Sequence, residues 1–205
     1  MRQQHWENVY QTKGPESVSW FRPHLETSLA FIAHATGGNL SAPIIDVGGG
    51  ASTLVDDLVN CGYENVTVLD ISQSALELAQ TRLAAAAGVV RWLNADVVQA
   101  ELPAQAFDVW HDRAVFHFLT APEDRKRYAS NVIRSLRPGG HAIMSTFGPE
   151  GPPKCSGLDV MRYDAASLHG ELGAGFRLLE STVEFHNTPF GATQQFVYCH
   201  LMLAP

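Results

Sequence analysis

The chain has 205 residues, 45% hydrophobic and 17% charged, with a formal net charge of −7. This is the composition of one globular domain rather than a disordered chain, and an acidic balance without a Lys/Arg stripe argues against a nucleic-acid partner. No apolar run approaches a membrane span, and Cys61, Cys155 and Cys199 are too scattered for a disulfide framework or a C-x-x-C zinc site.

The opening MRQQHWENVYQTKG lacks the apolar core of an export signal. Together with thiols expected to stay reduced, this points to a cytoplasmic protein with no membrane contact. Residues 1–40 read as a lid or helix segment, rich in aromatics (Trp6, Tyr10, Trp20, Phe21), and 41–205 as the core of a single domain. Pro23 opens a helix that runs to about Ala35 and is stopped by Gly37-Gly38. A strand at 44–47 leads to a helix from Ser52 to about Asn60. A second strand, 66–69, ends at Asp70, and Ser72 caps a helix carrying Ala75, Leu76, Leu78, Ala79 and Leu83 at helical spacing. A third strand covers 89–93 and a fourth 107–110. A helix over 123–136 puts Tyr128, Val132, Ile133 and Leu136 inward and is broken by Pro138-Gly139-Gly140 before a fifth strand at 141–146. Residues 147–157, rich in Gly and Pro, read as a loop, followed by a short helix at 165–172. Two longer strands, 176–186 and 193–203, turn through Pro189 and Gly191 as an antiparallel hairpin.

Alternation of strand and helix over five rounds implies an α/β fold. We expect a doubly wound, mostly parallel, seven-stranded sheet closed by an antiparallel C-terminal hairpin. Ligands of such sheets bind outside the carboxyl ends of the strands. Four strand ends converge there: Asp46 to Gly50, Asp70, Asp96 and Asp112. The stretch Asp46-Val47-Gly48-Gly49-Gly50-Ala51-Ser52 is a strand that stops in a glycine turn and enters a helix. Glycine lets a ligand approach bare backbone, the helix start offers free N–H groups, and a carboxylate at Asp70 suits ribose hydroxyls.

With Asn94-Ala95-Asp96 and Leu136-Arg137-Pro138-Gly139-Gly140 at their spacings, the chain from Ile44 onward resembles the Rossmann-like S-adenosylmethionine-dependent methyltransferases. The terminal hairpin suits that family too. The resemblance implies S-adenosylmethionine as cofactor. It implies that Gly48, Gly49 and Gly50 pass under the methionine part beside Asp46 and Ser52. Asp70 would hold the ribose with Ile71 packed on the adenine, and Asp96 would accept from the adenine amino group with Val97 on the ring face. Ser52 departs from the glycine common at that place. A nicotinamide dehydrogenase is the rival ribose binder, but its G-x-G-x-x-G fingerprint fails at Thr53, and no Tyr-x-x-x-Lys pair lies within the fold.

The residues after strand four, His111-Asp112-Arg113-Ala114-Val115-Phe116-His117, bear on the methyl acceptor. Asp112-Arg113 resembles the thiopurine methyltransferase branch of small-molecule enzymes and also a set of protein lysine methyltransferases; Arg113 matches the former directly. The implied catalytic residues are Asp112, Arg113 and His117, with His111 and Trp20 at the cofactor. Asp112 reads alternatively as a partner of Arg113 or a cap on the next turn, with cofactor contact preferred; His117 reads equally as a packed histidine, and Trp20 equally as lid or core. The expected acceptor is a small molecule with a thiol, hydroxyl or other soft nucleophile. A protein lysine is the alternative, and a cofactor-binding protein without chemistry a further one. His111, His117, His186 and His200 lack ligand spacing, so no metal site is expected.

Overall fold

The computed structural model describes residues 2–205. Strands β1 (Ile44–Val47), β2 (Val66–Asp70), β3 (Val90–Asn94), β4 (Phe107–Arg113), β5 (Leu136–Phe147), β8 (Phe176–Asn187) and β9 (Thr193–Leu203) form one seven-stranded sheet in the order β3-β2-β1-β4-β5-β9-β8. The first five run parallel, and β9 is antiparallel to both of its neighbours. A separate two-stranded ribbon, β6 (Lys154–Cys155) with β7 (Leu158–Asp159), lies within and just beyond the stretch expected to be a loop.

Every residue of β1 and of β2 is buried. Central parallel strands covered on both faces have no solvent side, so their sequences show apolar runs rather than alternation. Helices α2 (Glu26–Thr36), α3 (Leu54–Asn60) and α4 (Gln73–Leu83) bound the core on one face, where Ile32, Leu54, Leu76, Val109, Ile143 and Tyr198 pack. Helices α5 (Pro122–Ser135) and α6 (Ala165–Leu172) cover the other, over Trp110, Tyr128, Met144 and Leu201. Side chains alternate along a strand. On β4, Val109, His111 and Arg113 therefore share the α2 face, and Trp110 and Asp112 share the α5 face.

Several boundaries differ from the sequence reading. The aromatic lead holds an 11-residue helix, α1 (Arg2–Thr12). Helix α2 begins at Glu26, after Pro23, and α3 begins at Leu54 because residues 48–53 are spent on the turn. Strand β4 continues to Arg113, and β5 follows α5 without a gap. The β4–β5 register jumps between Phe107↔Leu136 and Val109↔His141, with Gly139 at φ +77° absorbing the extra residues. Ile133, expected inside, is 45% exposed; Tyr128 and Val132 hold the inner face of α5 without it. No helix among the described residues is long and apolar enough to cross a membrane.

Candidate active site

The turn after β1 is built by exclusion. Gly48 has φ +71°, and a Cβ there would run into Val115. A Cβ on Gly49 would meet the Asp46 carboxylate and Val68, and one on Gly50 the Asp70 carboxylate and Ala75. The chain thus passes tightly over two buried acids. Beyond the turn, the Ser52 hydroxyl accepts from Leu54 N (3.2 Å) at the start of α3. Arg82 of α4 donates to the carbonyls of Ala51 (3.1 Å) and Ser52 (2.6 Å) while pairing with Asp56 (2.6 Å). Sequence reading missed Arg82, since nothing separates it from any other arginine on a helix.

A cavity opens above this turn, at the carboxyl ends of β1, β2 and β4. Asp46, Gly48, Gly49, Ser52, Asp70 and Ile71 line it, and so do Asp96, Val97, His111, Arg113 and Trp20. Gly50 does not; it lies behind Asp70, as support.

Asp70 Oδ1 accepts from Ser72 N (2.8 Å). Burial, with Asp46 nearby, pushes its pKa up to about 7 against the pull of the Ser72 and Gly50 N–H groups. Asp46 Oδ1 pairs with His111 Nδ1 (2.7 Å), whose Nε2 pairs with Ser28 Oγ of α2 (2.9 Å). Ser28 reaches the Tyr198 hydroxyl (3.4 Å), which accepts from Arg113 Nε (3.0 Å). Arg113 also donates to the Trp20 carbonyl (3.1 Å) and lies over the Phe196 ring. Along this buried path two atoms have no partner among the described residues: Asp46 Oδ2 and Arg113 Nη2. An unsatisfied buried polar atom costs about 1–3 kcal/mol, so a ligand with a cationic donor and an anionic or carbonyl acceptor would complete the site.

Helix α1 roofs the cavity. Arg2 bridges Asp96 (3.4 Å) and Asp124 (2.6 Å). Glu7 accepts from Ser72 Oγ (2.8 Å) and Ser74 N (3.1 Å), and Ser74 Oγ donates to it as well. A carboxylate over the N-terminus of α4 stabilises the contact by about 0.3–1 kcal/mol. Trp6 meets Phe118 (4.9 Å) and Trp20 (5.8 Å) edge to face. Trp20 lines the cavity and, partly buried, packs against Trp6.

Two expected catalytic residues are placed elsewhere. Asp112 faces α5, away from the cavity. Its carboxylate accepts from Val115 N (2.9 Å), Phe116 N (3.1 Å) and the Tyr128 hydroxyl, and burial raises its pKa to about 6. It holds the turn after β4. His117 is fully buried between Phe118 and Phe147, and its Nδ1 accepts from Phe147 N (3.3 Å). Burial, with the Arg113 charge, drops its pKa to about 3, so it stays neutral. Neither lines the cavity. Cys155 does, but burial pushes its thiol up to about 11. The stretch Asn187-Thr188-Pro189-Phe190 sits at the hairpin tip as a turn, closed by Thr188 N to Ala192 O (2.8 Å). Gln195 pins the loop after β5 through Glu150, accepting from its N–H (3.0 Å) and donating to its carboxylate (3.1 Å).

The fit to S-adenosylmethionine follows from these atoms. A glycine turn free of side chains, a buried acid after β2, apolar Ile71 and Val97, and an unpartnered Asp46 oxygen match a methionyl ammonium, a ribose and an adenine. Comparison with known proteins agrees. Residues 44–140 match the family model described as methyltransferase domain. An uncharacterized methyltransferase of Mycobacterium tuberculosis is 36% identical over 104 residues, 51% of this chain and 50% of that protein. The eEF1A lysine and N-terminal methyltransferase of Bos taurus is 27% identical over 145 residues, 68% of this chain and 20% of that protein. The chain thus spans at most half the length of these curated relatives. The N-methyltransferase NodS of Bradyrhizobium japonicum, solved with S-adenosyl-L-homocysteine, shares the fold at TM-score 0.74 and 14% identity, over 98% of each chain. Residues 44–140 thus match a methyltransferase domain, within a fold that the chain shares with a solved N-methyltransferase along nearly its whole length.

Proposed function

We propose that the protein transfers the methyl group of S-adenosylmethionine to a small molecule bearing a soft nucleophile, in the cytoplasm. The observation that carries this is the roof: α1 brings Trp6 over Trp20 and Phe118, and Arg2 and Glu7 fasten it across the cavity. An acceptor space walled by aromatic rings suits a compact molecule better than an extended peptide.

When bound, S-adenosylmethionine supplies an electrophilic methyl on a sulfonium. The Asp46 Oδ2 atom would accept from its ammonium, Asp70 from its ribose and Asp96 from its adenine amino group, with Ile71 and Val97 to pack on the adenine. Arg113 Nη2 donates to an oxygen of the acceptor and orients it. In-line displacement needs alignment and exclusion of water more than acid–base help. Both nitrogens of His111 are engaged and the Cys155 thiol is protonated. The acceptor therefore attacks with a lone pair it already carries, as a thiolate or a neutral amine.

The bovine relative keeps a second reading open, transfer to a protein lysine. Labelled S-adenosylmethionine, incubated with the protein and a cell lysate, separates the two. Label in the low-mass fraction is expected; label confined to protein bands would overturn the small-molecule reading.

A further inference from the structure

Helix α2 joins two ends of the molecule. Ser28, near its start, holds His111 beside the cavity. His34, in its last turn, lies about 9 Å further along the axis at 1.5 Å per residue. There it meets Glu180 of β8 and His200 of β9, and one ligand-type atom from each of the three lies within 4.8 Å of the others.

The sheet sets this juxtaposition. Glu180 and His200 are direct cross-strand partners, just past the register shift between Leu178 and Glu180. Such an irregularity re-aims the side chains beside it. Glu184, four residues on, takes Thr27 (2.7 Å) and Arg22 (2.6 Å), so β8 tracks α2 from its first turn to its last. His200 is fully buried and its ring is fixed: Nε2 pairs with His141 Nδ1 of β5 (2.8 Å), and Phe31 packs at 5.7 Å. Its other nitrogen, Nδ1, is buried without a hydrogen-bond partner among the described residues. His34 and Glu180 are exposed, and among the described residues their side chains make no hydrogen bond.

Metal-ligating histidines commonly have the ring nitrogen that does not bind metal held by a hydrogen-bond acceptor; His141 Nδ1 is placed to act as that acceptor for His200. Two imidazoles and one carboxylate form a three-ligand set that suits Zn²⁺, with water completing a tetrahedron. The negative end of the α2 dipole favours a cation there. We propose that His34, Glu180 and His200 form a divalent transition-metal site that ties the end of α2 to the C-terminal hairpin, with His141 orienting His200. The site lies outside the reaction cavity. It steadies the helix whose other end positions His111.

The test uses the full chain without a histidine tag, stripped by a chelator and titrated with Zn²⁺ by calorimetry and with Co²⁺ by visible absorption. One metal per chain is expected, with the d–d bands of four-coordinate Co²⁺. Because both residues are exposed, His34→Ala and Glu180→Gln are expected to keep the fold, checked by unchanged S-adenosylhomocysteine affinity. Each is expected to weaken Zn²⁺ by at least about ten-fold, since even outer-sphere losses reach 10–100-fold. Zn²⁺ is expected to raise the melting temperature of the parent protein and not of the variants. Absence of saturable binding, or binding that both substitutions leave unchanged, would overturn the proposal.

Discussion

The sides of one cavity that we propose for the cofactor and for the acceptor are made differently. The cofactor side comes from consecutive strand tips: Gly48 and Gly49, where a Cβ would clash, the acids Asp46 and Asp70 beneath them, and Gly50 packed behind Asp70. The acceptor side is gathered from distant segments: Trp6 of α1, Trp20 after it, Arg113 of β4 and Cys155 of β6. One is a fixed cradle in the rigid sheet; the other is a roof docked by a few polar contacts. Changes on the cradle should abolish or titrate cofactor binding, and changes on the roof should alter the acceptor.

Gly49→Ala makes the largest break. Its methyl collides with the Asp46 carboxylate and Val68. Loss of measurable S-adenosylhomocysteine binding by calorimetry is expected, while a parallel Trp6→Ala variant still binds.

The cradle is also expected to titrate. With the Asp70 pKa at about 7 in the free protein, ribose recognition by the ionised form weakens as protons return. Cofactor affinity should fall about ten-fold from pH 8 to pH 6. Stability should move the other way. A buried acid whose folded pKa lies above its unfolded value binds its proton more tightly in the folded state. Asp70 therefore stabilises the ligand-free protein most below about pH 4 and loses that contribution as pH rises through 7, while the buried, neutral His117 contributes with the opposite sign. The difference between the melting curves of parent and Asp70→Asn proteins across this range checks it: the Asp70 share should be lost in the variant, while the contributions of Asp112 and of the buried histidines are common to both.

On the acceptor side, Arg113→Lys loses the Nε bond to Tyr198 and the planar fork. A rise of about ten-fold in KM for the acceptor is expected, with cofactor affinity changed less than about three-fold. A mirror-image result in steady-state kinetics would move Arg113 to the cofactor.

The smallest effect belongs to His117. Neutral and packed, it is expected to leave turnover within about two-fold when replaced by Gln and to contribute no inflection to the pH–rate profile near neutrality. An inflection lost in the variant would restore it as a base.

What the sequence showed and hid follows the same division. The glycine turn, Asp70 and the strand-helix alternation were readable because their requirements are local: a bare backbone, a tip acid, a periodicity. Asp112 was misplaced because its role depends on which face of β4 it takes. Ending that strand at 110 left the parity unread; its continuation to Arg113 turns His111 and Arg113 one way and Asp112 the other. The pairing of Arg2 with Asp96 and Asp124, and of Glu7 with Ser72, had no sequence signal, being contacts across 94, 122 and 65 positions. His34, Glu180 and His200 have no spacing motif, because a helix and two strands supply one donor each.

The most direct test of the cradle is calorimetric titration of S-adenosylhomocysteine at pH 8 into the parent protein and Asp70→Ala. One site per chain is expected, weakened about 100-fold in the variant, the size of two lost hydrogen bonds to a charged acceptor. Equal affinities, or no binding to the parent protein, would contradict a ribose held at Asp70.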